Sequence, residues 1–321
     1  MTTPCVIGVL AIQGAFVEHI QHFNDLHDAD VVAKKVRCAS DLSNCDGLVL
    51  PGGESTTMAI VAKQTSLWTA LKQWVQNERP TWGTCAGLIL LSASISSGKA
   101  EQDLLGGLDV HVARNAFGAQ LSSFEGAISI EETLVDWNVI QQAVCAAEPA
   151  QASRHQHEHH RPPAGPRSTV TSSYEAAISA VCIPQAAAKH EQHTQESGTA
   201  VEVGIFIRAP AILAVGAGAS VLATVQPPPP RGASLLASLP KTSQDMNSSS
   251  QHRVIVAAAK RSGHEGLPVL LGTAFHPELT PSLKWHAYFA AMVKAYINKS
   301  KGNSQPSRMS DAQASADATS A

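Results

Sequence analysis

Over roughly the first 130 residues, short apolar runs alternate with stretches whose apolar positions recur at helical spacing. VIGVL, residues 6–10, is an uninterrupted apolar run of the kind that suits a strand buried on both faces. In GAFVEHIQHFNDL, which follows it, Phe16, Ile20 and Phe23 fall on one helical stripe. Residues 31–36 read as a second strand and GLVL, residues 47–50, as a third, running straight into PGGESTT. A helix then starts near Ser55 or Thr56, either of which suits an N-cap. A fourth strand over residues 80–84 delivers Cys85. Strands alternating with helices predict an α/β fold built as three layers: a mostly parallel open sheet with helices on both faces.

The pattern then breaks. From about residue 135 to 199 the chain is rich in Ala, Gln, Ser, His and Pro, and a similar patch runs from about 226 to 252 with PPPP and NSSS. Neither is apolar enough to bury a core, so both read as disordered low-complexity insertions. Between and after them, VEVGIFIRAPAILAV (201–215), VLATV (221–225), RVIVAAAK (253–260) and VLLGTAFHPEL (269–279) read as strands. The last helix presents Trp285, Phe289, Met292, Val293 and Tyr296 as a core face, and a polar, disordered tail covers residues 301–321. A single interrupted domain over residues 5–300 is expected.

Composition narrows the classes of function. With 321 residues and 44% hydrophobic content, one core is affordable, and a net charge of −3 offers no basic footprint for nucleic acid or an anionic membrane. No run approaches the roughly 18 apolar residues of a membrane span, and the N-terminus has no signal-peptide pattern. The six cysteines show no CxxC pairing, which favours reduced thiols and a cytoplasmic protein. Of the fourteen histidines, six lie in the first insertion without the framework of a metal site, so no metal is expected.

TWGTCAGLILL, residues 81–91, places Cys85 between Gly83 and Gly87 at a strand-to-helix junction. A nucleophile on a sharp turn needs neighbours two places away that are nearly free of side chain. The helix N-terminus favours thiolate, and the N–H of Ala86 faces a developing oxyanion. The bland alternative is a buried thiol beside a glycine-rich turn. A thiol nucleophile wants a base, and His276 in AFHPEL has Glu278 two residues on to orient it; alone, HPE is a capped turn. In PGGEST, Gly52 and Gly53 give free N–H groups for an oxyanion or carboxylate, or simply make a βα turn capped by Ser55. Arg114 and Arg208, taken singly, read as surface charges.

Together these segments resemble the triad, or class I, glutamine amidotransferases, whose fold is flavodoxin-like, and among them the glutaminase subunits of pyridoxal 5'-phosphate synthase. IGVLAIQGAFVEH, LVLPGGESTTM, GTCAGLILL, GLDVHVARNAFGAQLSSFE, GIFIRAP, IVAAAK and GTAFHPELT carry the resemblance, from about residue 6 to 297 apart from the insertions. It implies hydrolysis of L-glutamine to glutamate and ammonia: Cys85 attacks the side-chain amide, His276 relays the proton and Glu278 orients His276. Gly52, Gly53 and Ala86 would form the oxyanion hole, and Gly53, Glu54, Ser55, Arg114, Ile207 and Arg208 would bind glutamine. Free ammonia becomes ammonium in neutral water, so the resemblance also implies docking on a (β/α)₈ synthase subunit as a hetero-oligomer. The segment around Gln13 and Gly14 would belong to the docking surface, and no cofactor is implied. The rival readings are a glutaminase serving another synthase, such as imidazole glycerol phosphate synthase, and a catalytically silent assembly module.

Overall fold

The computed structural model describes residues 4–26, 28–96, 102–117, 123–130, 202–227, 253–261 and 268–302. The two expected insertions lie outside them except for residues 226 and 227, as does the tail beyond residue 302. The first half runs β1 (Cys5–Leu10), α1 (Phe16–Asp25), β2 (Val31–Val36), α2 (Ala39–Ser43), β3 (Gly47–Leu50), α3 (Ser55–Lys63), α4 (Leu67–Gln76), β4 (Thr81–Thr84) and α5 (Ala86–Leu91). Strands β5 (Ser92–Ser96), β6 (Leu108–Ala113), β7 (Phe124–Ile130), β8 (Glu202–Phe206), β9 (Ala211–Val215), β10 (Ser220–Val225), β11 (Val254–Arg261) and β12 (Pro268–Thr273) follow. A 3₁₀ turn, Pro277–Leu279, and α6, Lys284–Gly302, complete the described chain.

These strands form one open sheet, ordered β2-β1-β3-β4-β12-β11-β10-β7-β8, with β5, β6 and β9 attached through β11. From β2 to β12 every pairing is parallel. Strands β3, β4 and β12 are buried throughout, as strands covered on both faces are, β4 and β12 burying the threonines Thr81, Thr84 and Thr273 as well as apolar side chains. Beyond β12 the sheet turns antiparallel through β11, β10, β7 and β8. The α/β open sheet is therefore the architecture read from the periodicity, extended by an antiparallel wing that periodicity does not specify.

Three details depart from the sequence reading. The run over residues 201–215 is two strands, because Arg208 adopts φ 47° and Pro210 follows, so the chain leaves β8 and re-enters the sheet as β9. The strand before His276 stops at Thr273, with buried Ala274 and Phe275 intervening. The N-cap of α3 is Glu54, whose side chain accepts from the Thr57 amide at 2.8 Å, so neither Ser55 nor Thr56 caps it.

Register decides what the sheet presents. Thr273 pairs with Thr84, and Leu50 with Gly83, so β3, β4 and β12 end side by side. Carboxyl ends of parallel strands are where open α/β sheets bind their ligands. The close approach is possible only without side chains: a Cβ on Gly83 would lie 2.4 Å from the Gly87 carbonyl carbon, and one on Gly87 would lie 2.0 Å from the Leu50 oxygen. These obstacles are backbone atoms and cannot rotate away. Gly87→Ala is expected to cost about 3 kcal/mol or more of stability, read as a lower melting temperature, whereas an unchanged melting temperature would contradict this packing.

Candidate active site

Cys85 ends β4 and precedes α5 with φ 46° and ψ −98°, a left-handed conformation that non-glycine residues rarely adopt. Its amide donates to Thr273 O at 2.8 Å, and its carbonyl accepts from Ile89 N, so strand and helix hold the strained residue from both sides. Asn115 and Arg208 also have positive φ, at 49° and 47°. A bond from Ala116 N to Ala209 O joins their two turns. Three of the four non-glycine residues with positive φ among the described residues thus lie around one end of the sheet, the fourth, Glu78, preceding β4 at the other; such clustering is common where a fold holds reactive or ligand-binding groups.

His276 reaches Cys85 from β12's side. Its amide donates to Ile205 O at 2.9 Å, anchoring the turn to β8, while Phe275 packs between Phe206 and Trp285. The imidazole stands beside Cys85, both rimming Gly52, and its Nδ1 lies 2.7 Å from Glu278 Oε1. Gly52 lies beneath both: a Cβ there would sit 2.4 Å from His276 Cε1 and 3.5 Å from Cys85 Cβ. Cys85, His276 and Glu278 are 6%, 8% and 3% exposed, so the three groups interact with little competition from water.

The electrostatics follow from that burial. Burial alone would drive His276 down, but its hydrogen bonds to Cys85 and Glu278 and their charges outweigh it and raise its pKa to about 10. Burial pushes Glu278 upward, yet His19 and His276 leave it below the usual carboxylate range. Burial also lowers His19 to about 4, so at neutral pH His19 acts on Glu278 as a neutral imidazole; the charge beside Glu278 is that of His276. Such a site holds His276 as an imidazolium at neutral pH.

The other candidate residues form a neighbouring cluster. Arg114 donates to Glu54 Oε1 at 3.0 Å and to Gln102 Oε1, and Gln102 Nε2 donates to Ser55 Oγ at 2.8 Å. Partial burial of Glu54 is outweighed by hydrogen bonds from Thr57 and by the charge of Arg114, leaving its carboxyl below the usual range. Gly53 packs on Gln13, whose Oε1 accepts from Glu54 N at 2.9 Å. Gly14, at φ 94°, presses on the Gly52 carbonyl. Ile207 is half-buried and Arg208 exposed on the turn after β8, with Arg114's turn beside them. Ala86, the first residue of α5, is buried.

Two residues here escape the sequence reading: Gln102 and His19. His19 carried a signal, since it stands on the Phe16, Ile20 and Phe23 stripe where a core residue belongs. Gln102 carried none before the chain around it folded. Among the described residues no group of His, Cys, Asp or Glu is placed to hold a metal, and no helix is long and apolar enough to cross a membrane.

A largely parallel open sheet with a strained cysteine at a strand-to-helix turn, facing an imidazole, defines the class of the glutamine amidotransferases. A solved structure described as a glutamine amidotransferase is similar with a TM-score of 0.53 and 26% identity, covering 90% of this chain and 98% of its own. The chain belongs to the SNO glutamine amidotransferase family, whose profile matches residues 9–148. The probable pyridoxal 5'-phosphate synthase subunit PDX2 of Arabidopsis thaliana is 33% identical over 311 residues, 97% of this chain and 94% of that protein. The subunit PdxT of Streptomyces coelicolor is 31% identical over 295 residues, 92% and 96% of the two chains. The subunit SNO1 of Saccharomyces cerevisiae is 48% identical over 126 residues, 37% of this chain and 56% of that one.

Proposed function

We propose that the chain is the glutaminase subunit of a pyridoxal 5'-phosphate synthase, a cytoplasmic protein whose residues 5–300 form one amidotransferase unit. The observation that carries the chemistry is the buried His276–Glu278 pair, 2.7 Å apart, set beside the strained Cys85 across Gly52. The thiolate attacks the side-chain amide carbon of L-glutamine, and the oxyanion that forms is held by the N–H groups of Ala86 and of the Gly52–Gly53 turn. Imidazolium His276 gives its proton to the departing nitrogen, releasing ammonia and leaving a glutamyl thioester on Cys85. Water then attacks the thioester while His276 takes a proton from it, and glutamate leaves with the thiol restored. Glu278 keeps the imidazole oriented through both halves.

Glu54, Ser55 and Arg114, with Gly53, Ile207 and Arg208 beside them, offer both signs of charge and several amides to a zwitterionic amino acid. The relatives' names, each a pyridoxal 5'-phosphate synthase subunit, support assembly with another subunit of that synthase, to which the ammonia would pass; the packing of Gln13 and Gly14 on the Gly52–Gly53 turn supports docking on that side of the site. The test is glutamate release from glutamine with and without the synthase subunit, using glutamine labelled with ¹⁵N in the amide. Release should rise when the subunits are mixed, and the label should enter the synthase product. Mixed subunits that produce no glutamate would reject the reading.

A further inference from the structure

Behind the triad lies a buried pair of histidines that the mechanism above does not use. Glu278 Oε1 faces His276, but Oε2 is buried and accepts no hydrogen bond from the described residues; His19 Nε2 stands 3.4 Å from it. The same nitrogen is 3.2 Å from the hydroxyl of Thr84, the residue before Cys85. On the far side of the ring, His19 Nδ1 is 2.9 Å from His286 Nε2, and His286 Nδ1 is buried with no partner among the described residues. Both histidines are fully buried, with Trp82 edge-on to each at 5.4 and 5.0 Å.

One proton must lie between His19 Nδ1 and His286 Nε2, and the surroundings decide who donates. If His19 donated, neutral His286 would carry its proton on Nδ1, a buried donor without an acceptor. His19 Nε2 would then aim a lone pair at the Glu278 carboxylate. If His286 donates, His286 Nδ1 is a bare acceptor, the cheaper defect, and His19 Nε2–H points toward Glu278 Oε2 and Thr84 Oγ1. The first arrangement leaves only the Thr84 hydroxyl to donate to the His19 Nε2 lone pair, whereas the second sets an N–H against the carboxylate and is electrostatically favoured.

We propose that His19 is a positioning residue of the triad: held in its Nε2–H tautomer by His286, it gives the second oxygen of Glu278 a neutral donor and so fixes the carboxylate that orients His276. The proposal rests on the triad reading. Closing 3.4 Å to a normal hydrogen bond takes a shift of a few tenths of an ångström. A neutral donor suits this place because a cation would compete with imidazolium His276 for the carboxylate. The groups facing His19 are Glu18 and His22 on α1, His276 and Glu278 on the turn, and His286 on α6.

The full chain with its synthase partner provides the test. His19→Leu should lower kcat roughly 10- to 100-fold with KM within about twofold, the scale for losing a supporting hydrogen bond behind a functional group. The acid limb of its kcat profile should move to higher pH, because Glu278 loses a donor that favours its ionised form. His19→Gln, which keeps an N–H near the Nε2 position, should recover most of the rate and the wild-type acid limb. Equal kcat in wild type and His19→Leu, or no recovery in His19→Gln, would overturn the proposal. Should the variants not fold, ¹⁵N spectra of histidine-labelled wild type at neutral pH decide it. His19 and His286 must both be protonated on Nε2 alone, and a proton on His286 Nδ1 contradicts the assignment. A Cys85→Ala control that still turned over would instead indict the triad reading itself.

Discussion

Cys85→Ala is expected to lower glutamate release by roughly 10⁴-fold or more, to background, with the fold and melting temperature nearly unchanged. The size of the loss follows from the role: the sulfur forms the covalent intermediate, and neither His276 nor Glu278 can take its place. The small structural effect follows from geometry, since alanine keeps the Cβ and loses only the sulfur at the edge of the site. Strain at φ 46° is borne equally by both residues. Cys85→Ser tests the thiol more finely. It keeps an oxygen beside His276 but offers a far weaker acid, so its rate should also collapse. Glutamate release within tenfold of wild type in either variant, measured with the synthase present, would falsify the covalent route.

Glu278→Gln should lower kcat by roughly 10³-fold, approaching the loss seen when a triad carboxylate becomes an amide. The reason lies on both sides of the side chain. His19 Nε2–H seeks an acceptor, so the new amide turns its oxygen toward His19 and presents its NH₂ to His276 Nδ1. The imidazole is then forced into the tautomer with a bare Nδ1 and cannot accept the thiol proton at its other nitrogen. The same variant changes the pH dependence of stability. The His276 pKa is raised from 6.5 to about 10, so the stability it confers is complete below pH 6.5 and is lost as pH rises through about 10. Without the Glu278 carboxylate the protonated imidazole loses an acceptor and a neighbouring negative charge, and the window narrows from its alkaline end. Denaturant melts at pH 6, 8 and 10 should show a smaller alkaline loss in the variant than in wild type. An equal loss would mean that Glu278 does not hold the proton on His276.

Much of this site could be read before any coordinates. Gly83 and Gly87 mark the elbow because the crossing of β4 and α5 leaves no room for a Cβ, a demand so strict that it shows as residue type at fixed spacing. The parallel strands were legible because burial on both faces leaves an unbroken apolar run. The antiparallel wing was not, since pairing direction depends on which strands become neighbours, and no local period encodes that. The break between β8 and β9 was hidden in FIRAP because the apolar composition continues across it while Arg208 turns the backbone. At α3, Ser55 and Thr56 looked like caps by type, but Arg114 and Thr57 fix Glu54 at the N-cap and Gln102 takes the Ser55 hydroxyl. His19 and His286 went unread because histidine on an apolar stripe is commonly a satisfied core residue; only the open oxygen of Glu278 gives theirs a role.

The central claim is that Cys85, set beside His276, forms a covalent bond to the side-chain carbon of glutamine. The most direct measurement is to treat the chain, with its synthase partner, with an electrophilic glutamine analogue and map the adduct by peptide mass spectrometry. The adduct should form on Cys85 alone, inactivate in proportion to labelling, and be slowed by glutamine. Full inactivation with Cys85 unmodified, or labelling of Cys38 or Cys45 in its place, would contradict the account.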